Sequence, residues 1–131
     1  MQDFPAPYTD FLIHPDGPNQ RWADLRPTAL AQLHKDLGFY QEDGPQHLEN
    51  PLPELNAILR KVGQDRPRMM QLLYRIDVDS AQLETVLTEH QQDSAWQHLA
   101  ALVWHRMLRK VWLRREFSLG FSSDLPPAPS V

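Results

Sequence analysis

The chain contains no cysteine, and that one absence removes disulfides, thiolate zinc sites, iron–sulfur clusters and cysteine nucleophiles together. Glycine is scarce. The five present are scattered as helix stops rather than gathered into a loop that would cradle phosphate. Long apolar runs are also missing: the longest, Leu99 to Trp104, falls far short of the ~20 residues that span hydrocarbon, and Arg106, Arg109 and Lys110 follow it. Alternation of period two is absent and the few β-branched residues do not cluster, so no strand is expected. The opening MQDFPAPYTDF has neither a basic nor an apolar leader region, so no secretion signal is expected and a cytoplasmic setting is. The formal net charge of −4 gives no long-range pull toward nucleic acid or an anionic membrane.

Helix signals fill most of the remainder. The 131 residues are enough for one domain, and an apolar fraction of 41 % suits a folded one. Residues 1–21 hold Pro5, Pro7, Pro15 and Pro18 between Phe4, Tyr8, Phe11, Leu12 and Ile13. Proline fixes φ and biases its predecessor toward extended geometry, so this segment reads as an arm laid along the helical body or a neighbouring subunit. A first helix is expected from Pro27 to Leu37, with Gly38 as its terminator and Phe39 folding back. A polar loop follows.

A second helix begins at Asn50 and Pro51, carries the stripe Leu52, Leu55, Ile58, Leu59, Val62, and stops at Gly63. Asp65 caps a third, with Met69, Leu72, Leu73 and Ile76 inward. Asp79 and Gln82 form a capping box for a fourth, with Val78 stapled onto Leu83, and with Leu83, Val86 and Leu87 inward. Ser94 and Gln97 repeat that box at the head of a long fifth helix reaching Phe117. Residues 119–131 read as a Pro-rich tail. The spacing therefore predicts an all-α bundle of about five helices, with residues 22–118 as its single domain.

The last helix is the most informative element. At roughly 100° per residue, Trp96, Ala100, Val103, Trp104, Met107, Leu108, Val111 and Trp112 occupy one apolar arc wider than half the circumference. Trp104, Leu108 and Trp112 stack along one flank. An indole buries ~150–250 Å², so leaving two in water forfeits a large share of a domain's stability, and both are expected in the core or at an interface. The opposite face carries His98, His105, Arg109 and Glu116, interrupted by Leu102 and Leu113. These two leucines share an edge and point to a second contact surface.

Charge comes in blocks. From Met1 to Glu54 there are nine acids and three bases; from Leu55 onward, ten bases and eight acids. The fourth helix is acidic, and Arg106, Arg109, Lys110, Arg114 and Arg115 crowd the end of the fifth. The acidic helix is expected to neutralise part of this patch, and cations also suit a helix C-terminus.

Chemistry is thin. His98 and His105 lie about 10.5 Å apart along the helix axis, too far for one ion. The dipeptide Glu89–His90 has diverging side chains, and each histidine reads as isolated. Asp77, Asp79 and Asp93 flank the fourth helix, where capping explains Asp79 and Asp93, and a calcium loop needs denser ligands. No nucleophile context, metal set or cofactor motif is visible, so catalytic, metal and cofactor residues are expected to be none. The expected function is protein–protein contact by a non-enzymatic homo-oligomer or accessory subunit, through Leu102, Trp104, Arg106, Arg109, Lys110, Trp112, Leu113, Arg114 and Arg115. Nucleic-acid binding by the arginine-rich end is the alternative.

Overall fold

A computed structural model describes residues 4–36, 50–78 and 80–121. The protein is all-α. Among the described residues five α-helices follow one another: α1 Arg26–Asp36, α2 Leu52–Val62, α3 Arg66–Arg75, α4 Ser80–Glu89 and α5 Gln92–Phe121. Leu37, Gly38, Phe39, the polar loop and the cap Asp79 lie outside the described residues, as do residues 122–131; α5 itself runs on to Phe121, past the expected end at Phe117 and into the segment expected to begin the tail at 119.

Local chemistry explains the boundaries. Leu52 N–H donates to Asn50 Oδ1, so Asn50 serves α2 from one residue further out than a standard cap, with Pro51 at the cap position. Asp65 Oδ1 accepts from Arg68 N–H, and Pro67 occupies the first turn of α3. The stripes of α2 and α3 fall inward, with Ile58 half-buried against the core and Met69, Leu72, Leu73 and Ile76 buried.

Two expectations fail here. α5 begins at Gln92, and Ala95 N–H already donates to Gln91 O, which places Ser94 inside the first turn rather than at a cap. Leu87 is 49 % exposed, because α4 meets the core along Leu83 and Val86 alone.

α5 is the axis of the fold. It packs against α1, α2, α4 and the arm. Every residue from Leu99 to Trp104 is buried, so the middle of the helix is enclosed all round its circumference. Trp104 is fully buried, and its Nε1–H donates to Pro15 O at 2.7 Å. Trp112 is buried as well, edge-on to Phe4.

The arm closes the side of α5 that the sequence pattern leaves to histidines. It is not extended throughout: short 3-10 turns form at Tyr8–Phe11, Pro18–Gln20 and Ala23–Leu25. Phe4, Ala6, Phe11 and Trp22 join the same core as the helices. The prolines bend the arm, and its aromatic rings then lie inward. Gly17 makes one of these bends possible. Its φ is +76°, and an added Cβ would approach the Phe11 and Trp22 rings to 3.1 and 3.0 Å.

Candidate functional site

The residues read as a contact surface on α5 are divided by the fold. Trp104, Trp112 and Leu102 are buried by the chain's own elements, and Leu113 is half-buried against the same core. The leucine edge expected to face a second surface is thus largely withdrawn into the core. None of these four is an open apolar contact.

The cations of α5 have partners from a different quarter than expected. Lys110 Nζ lies 3.4 Å from Asp36 at the end of α1, Arg115 lies 2.7 Å from Asp24, and Arg114 donates to Gln32 Oε1. Arg106 pairs with Asp77 in the α3–α4 turn. The acidic fourth helix is the expected partner for part of the patch, but for Lys110, Arg114 and Arg115 the basic end of α5 runs past α1 and the segment before it. An exposed pair such as Arg115–Asp24 contributes ~0–1 kcal/mol, so it neutralises charge more than it stabilises, whereas Lys110–Asp36 is half-buried on both sides.

The open apolar surface lies elsewhere. α3, α4 and the head of α5 enclose a groove of about 420 Å³ with Leu73 and Leu83 as its floor. Its walls are Met69, Met70, Leu87 and Trp96, and Arg66 and Glu84 stand among its lining residues as charges of opposite sign. Met70 is 44 % exposed and Leu87 49 %. Tyr74, one helical turn after Met70, is 87 % exposed. Gly63 shapes one end of the groove: a side chain there would run into the Trp96 ring and come within 2.9 Å of Leu59 O. A signal for this surface existed in the sequence. Met69 and Met70 are adjacent on a helix, so one of them has to leave the core when the other enters it.

Two histidines read as isolated are not. The His90 and His98 rings stack at 3.6 Å between centroids, and the Tyr8 hydroxyl lies 2.9 Å from His98 Nδ1. The turn between α4 and α5 brings His90 back over His98, although eight residues separate them. Burial, then the charge of His90, holds His98 below the ordinary histidine value of 6.5. Burial, then Glu89, pushes the Tyr8 hydroxyl upward. His105 Nε2 lies 2.6 Å from Ala6 O and donates to it. Burial lowers the His105 pKa, and Arg109 and Arg106 act in the same direction against the Ala6 carbonyl and Asp10.

A histidine with a lowered folded pKa stabilises the neutral form, so unfolding takes up protons once the pH falls below about 6.5. Stability is fully present above that value and is lost as the pH drops toward the folded pKa. Urea midpoints measured between about pH 7.5 and pH 5 should fall, and His90→Gln should flatten the fall by removing the stacked second charge. A midpoint independent of pH across this window contradicts the His90–His98 arrangement.

No family model, no curated protein and no solved structure matches the chain. Among the described residues, no helix is long and apolar enough to cross a membrane.

Proposed function

We propose that this is a small, non-enzymatic helical protein acting by protein–protein contact, as a homo-oligomer or accessory subunit, and that the α3–α4 groove receives an amphipathic helix. One observation carries the reading: half-exposed Met70 and Leu87 flank a floor of buried leucines, while most other large apolar side chains among the described residues lie inward. Methionine adapts its shape to an incoming apolar side chain, and a cleft between two helices suits residues spaced i, i+3, i+4 on a third. Arg66 and Glu84 give such a helix a preferred direction through their opposite charges.

The reading differs from nucleic-acid binding in what it asks of α5. Lys110 and Arg115 are held by Asp36 and Asp24, and Arg106 by Asp77, which weighs against a phosphate-tracking surface there.

The test compares wild type with Leu87→Glu, a change at a half-exposed position that leaves the core intact. Sedimentation reports self-association, and affinity purification with quantitative mass spectrometry reports a separate partner. The variant should remain helical and lose the dimer or partner by about 30-fold in affinity, as burying a charge at an interface hot spot would cause. A wild type that is monomeric, with a set of co-purifying proteins identical to that of the variant, contradicts the proposal.

A further inference from the structure

The α3–α4 groove is lined at the same spacing from both sides. Arg66, Met70 and Leu73 recur at i, i+4, i+7 on α3, and Ser80, Glu84 and Leu87 do so on α4, so the two helices flank it along its length. One residue of each three is charged, and the two signs are opposite. Arg66 and Glu84 are both exposed, and among the described residues neither side chain is held in an ion pair. Arg106, Lys110 and Arg115, by contrast, each meet an aspartate of the same chain.

The exposed apolar side chains gather on the same two helices. Met70, Tyr74 and Leu87 belong to α3 and α4, and Ile13 and Phe117 stand elsewhere. Tyr74 continues the ridge of α3 one turn beyond Met70 and is not part of the groove's lining. A ridge and a hollow thus lie side by side on one face, with a positive charge on the ridge helix and a negative charge on the opposite wall.

A two-fold interface buries the same patch of both copies, so that patch has to complement itself. Each lobe needs a hollow within the same surface, and each charge needs its opposite. A patch built for an unrelated protein needs no such internal balance. A two-fold axis lying in the interface, midway between Arg66 and Glu84, brings each Arg66 over the Glu84 of the other copy. Two ion pairs then flank the axis, and Met70 and Leu87 of both copies fill the space between them. Rim charges of this kind fix register and partner choice, while the apolar centre supplies affinity.

We propose, resting on the reading of the groove as a docking surface, that its occupant is a second copy of this chain. The α3 helix of that copy, with Met70 and Tyr74 on its exposed ridge, is the helix received, and Arg66 of each copy pairs with Glu84 of the other.

Sedimentation equilibrium of the full chain at low ionic strength, with Arg66→Glu, Glu84→Arg and an equimolar mixture of the two, tests the pairing. Wild type should dimerise with a Kd on the order of 10 μM. Each single reversal sets like charges against each other twice in its own dimer and should weaken association about tenfold. The mixture should regain wild-type affinity within about threefold, because a heterodimer of the two variants restores an opposite-sign pair at both places. Salt should narrow the gap between wild type and the single variants. Ile13→Glu, at an exposed apolar position on the arm, should leave the dimer unchanged. A dimer indifferent to either reversal, or a mixture that associates no better than each variant alone, overturns the proposal. So does a wild type that stays monomeric; loss of a separate partner on Leu87→Glu would then keep the groove as a docking site, and no such loss would remove that reading too.

Discussion

Trp104→Ala lowers the unfolding free energy by ~3–5 kcal/mol, the range for deleting a fully buried large aromatic ring. Trp104 closes the enclosed stretch of α5 and is fully buried, and a core relaxes only in part around a deleted ring. The truncation has a second cost. Pro15 O, itself in a buried residue, loses the indole N–H that it accepts at 2.7 Å, and an unmet buried acceptor costs ~1–3 kcal/mol. Against the ~5–15 kcal/mol that holds a domain together, the variant is expected to be largely unfolded in mild urea. Trp104→Phe separates the two contributions: it keeps most of the ring and drops the N–H, so its loss should be markedly smaller. Urea unfolding followed by circular dichroism measures both. A loss below about 1 kcal/mol for the alanine variant would place the ring outside the core.

Phe11→Ala carries a penalty of the same order, ~3–5 kcal/mol, even though the residue lies in the proline-rich arm and outside the five helices. Phe11 is fully buried, tilted against Phe4 at 6.2 Å and against His105 of α5 at 5.9 Å. A segment draped over a finished bundle would lose little from such a change. Ile13, two residues later and 91 % exposed, provides the internal control: Ile13→Ala should lie within about 0.5 kcal/mol of wild type. Because the arm buries α5, Phe11→Ala should also hasten proteolysis between Phe4 and Leu25, and it should expose Trp112 to quenchers through loss of the Phe4 contact. Equal stabilities for the Phe11 and Ile13 variants would mean that the arm is not part of the core.

The contrast between these two residues shows what the sequence discloses and what it withholds. α2 and α3 were legible because their apolar stripes, the cap at Asp65 and the prolines in their first turns are local signals within a few residues of one another. The width of the apolar arc on α5 likewise announced a helix with neighbours on several sides. What covers that helix was not legible. The bonds from Trp104 to Pro15, His105 to Ala6 and His98 to Tyr8 join positions 89, 99 and 90 residues apart, and no periodicity encodes such pairings. Leu102 and Leu113 read as a second contact edge for the same reason: their burial depends on distant elements, which helical spacing does not encode.

The charge pattern failed in the same way. Blocks of acid and base adjacent in sequence suggested α4 as the partner of the basic end, whereas the three-dimensional course of α5 brings Lys110 and Arg115 to Asp36 and Asp24. The α3–α4 groove was hidden by a different cause. Leu87 fits the helical period of a buried stripe, and only the angle at which α4 meets the core leaves it half in water.

The middle of α5 is sealed by its own chain, with the arm as part of the seal. Exchange of the Trp104 indole proton with deuterated solvent, resolved by NMR, tests this most directly. A proton donated to Pro15 O inside the core is expected to exchange through global unfolding alone, with a rate that tracks urea stability and lies orders of magnitude below that of the half-buried Trp96 indole. Exchange of Trp104 as fast as Trp96, and insensitive to destabilising substitutions, would show the arm lifted away and α5 open to another chain.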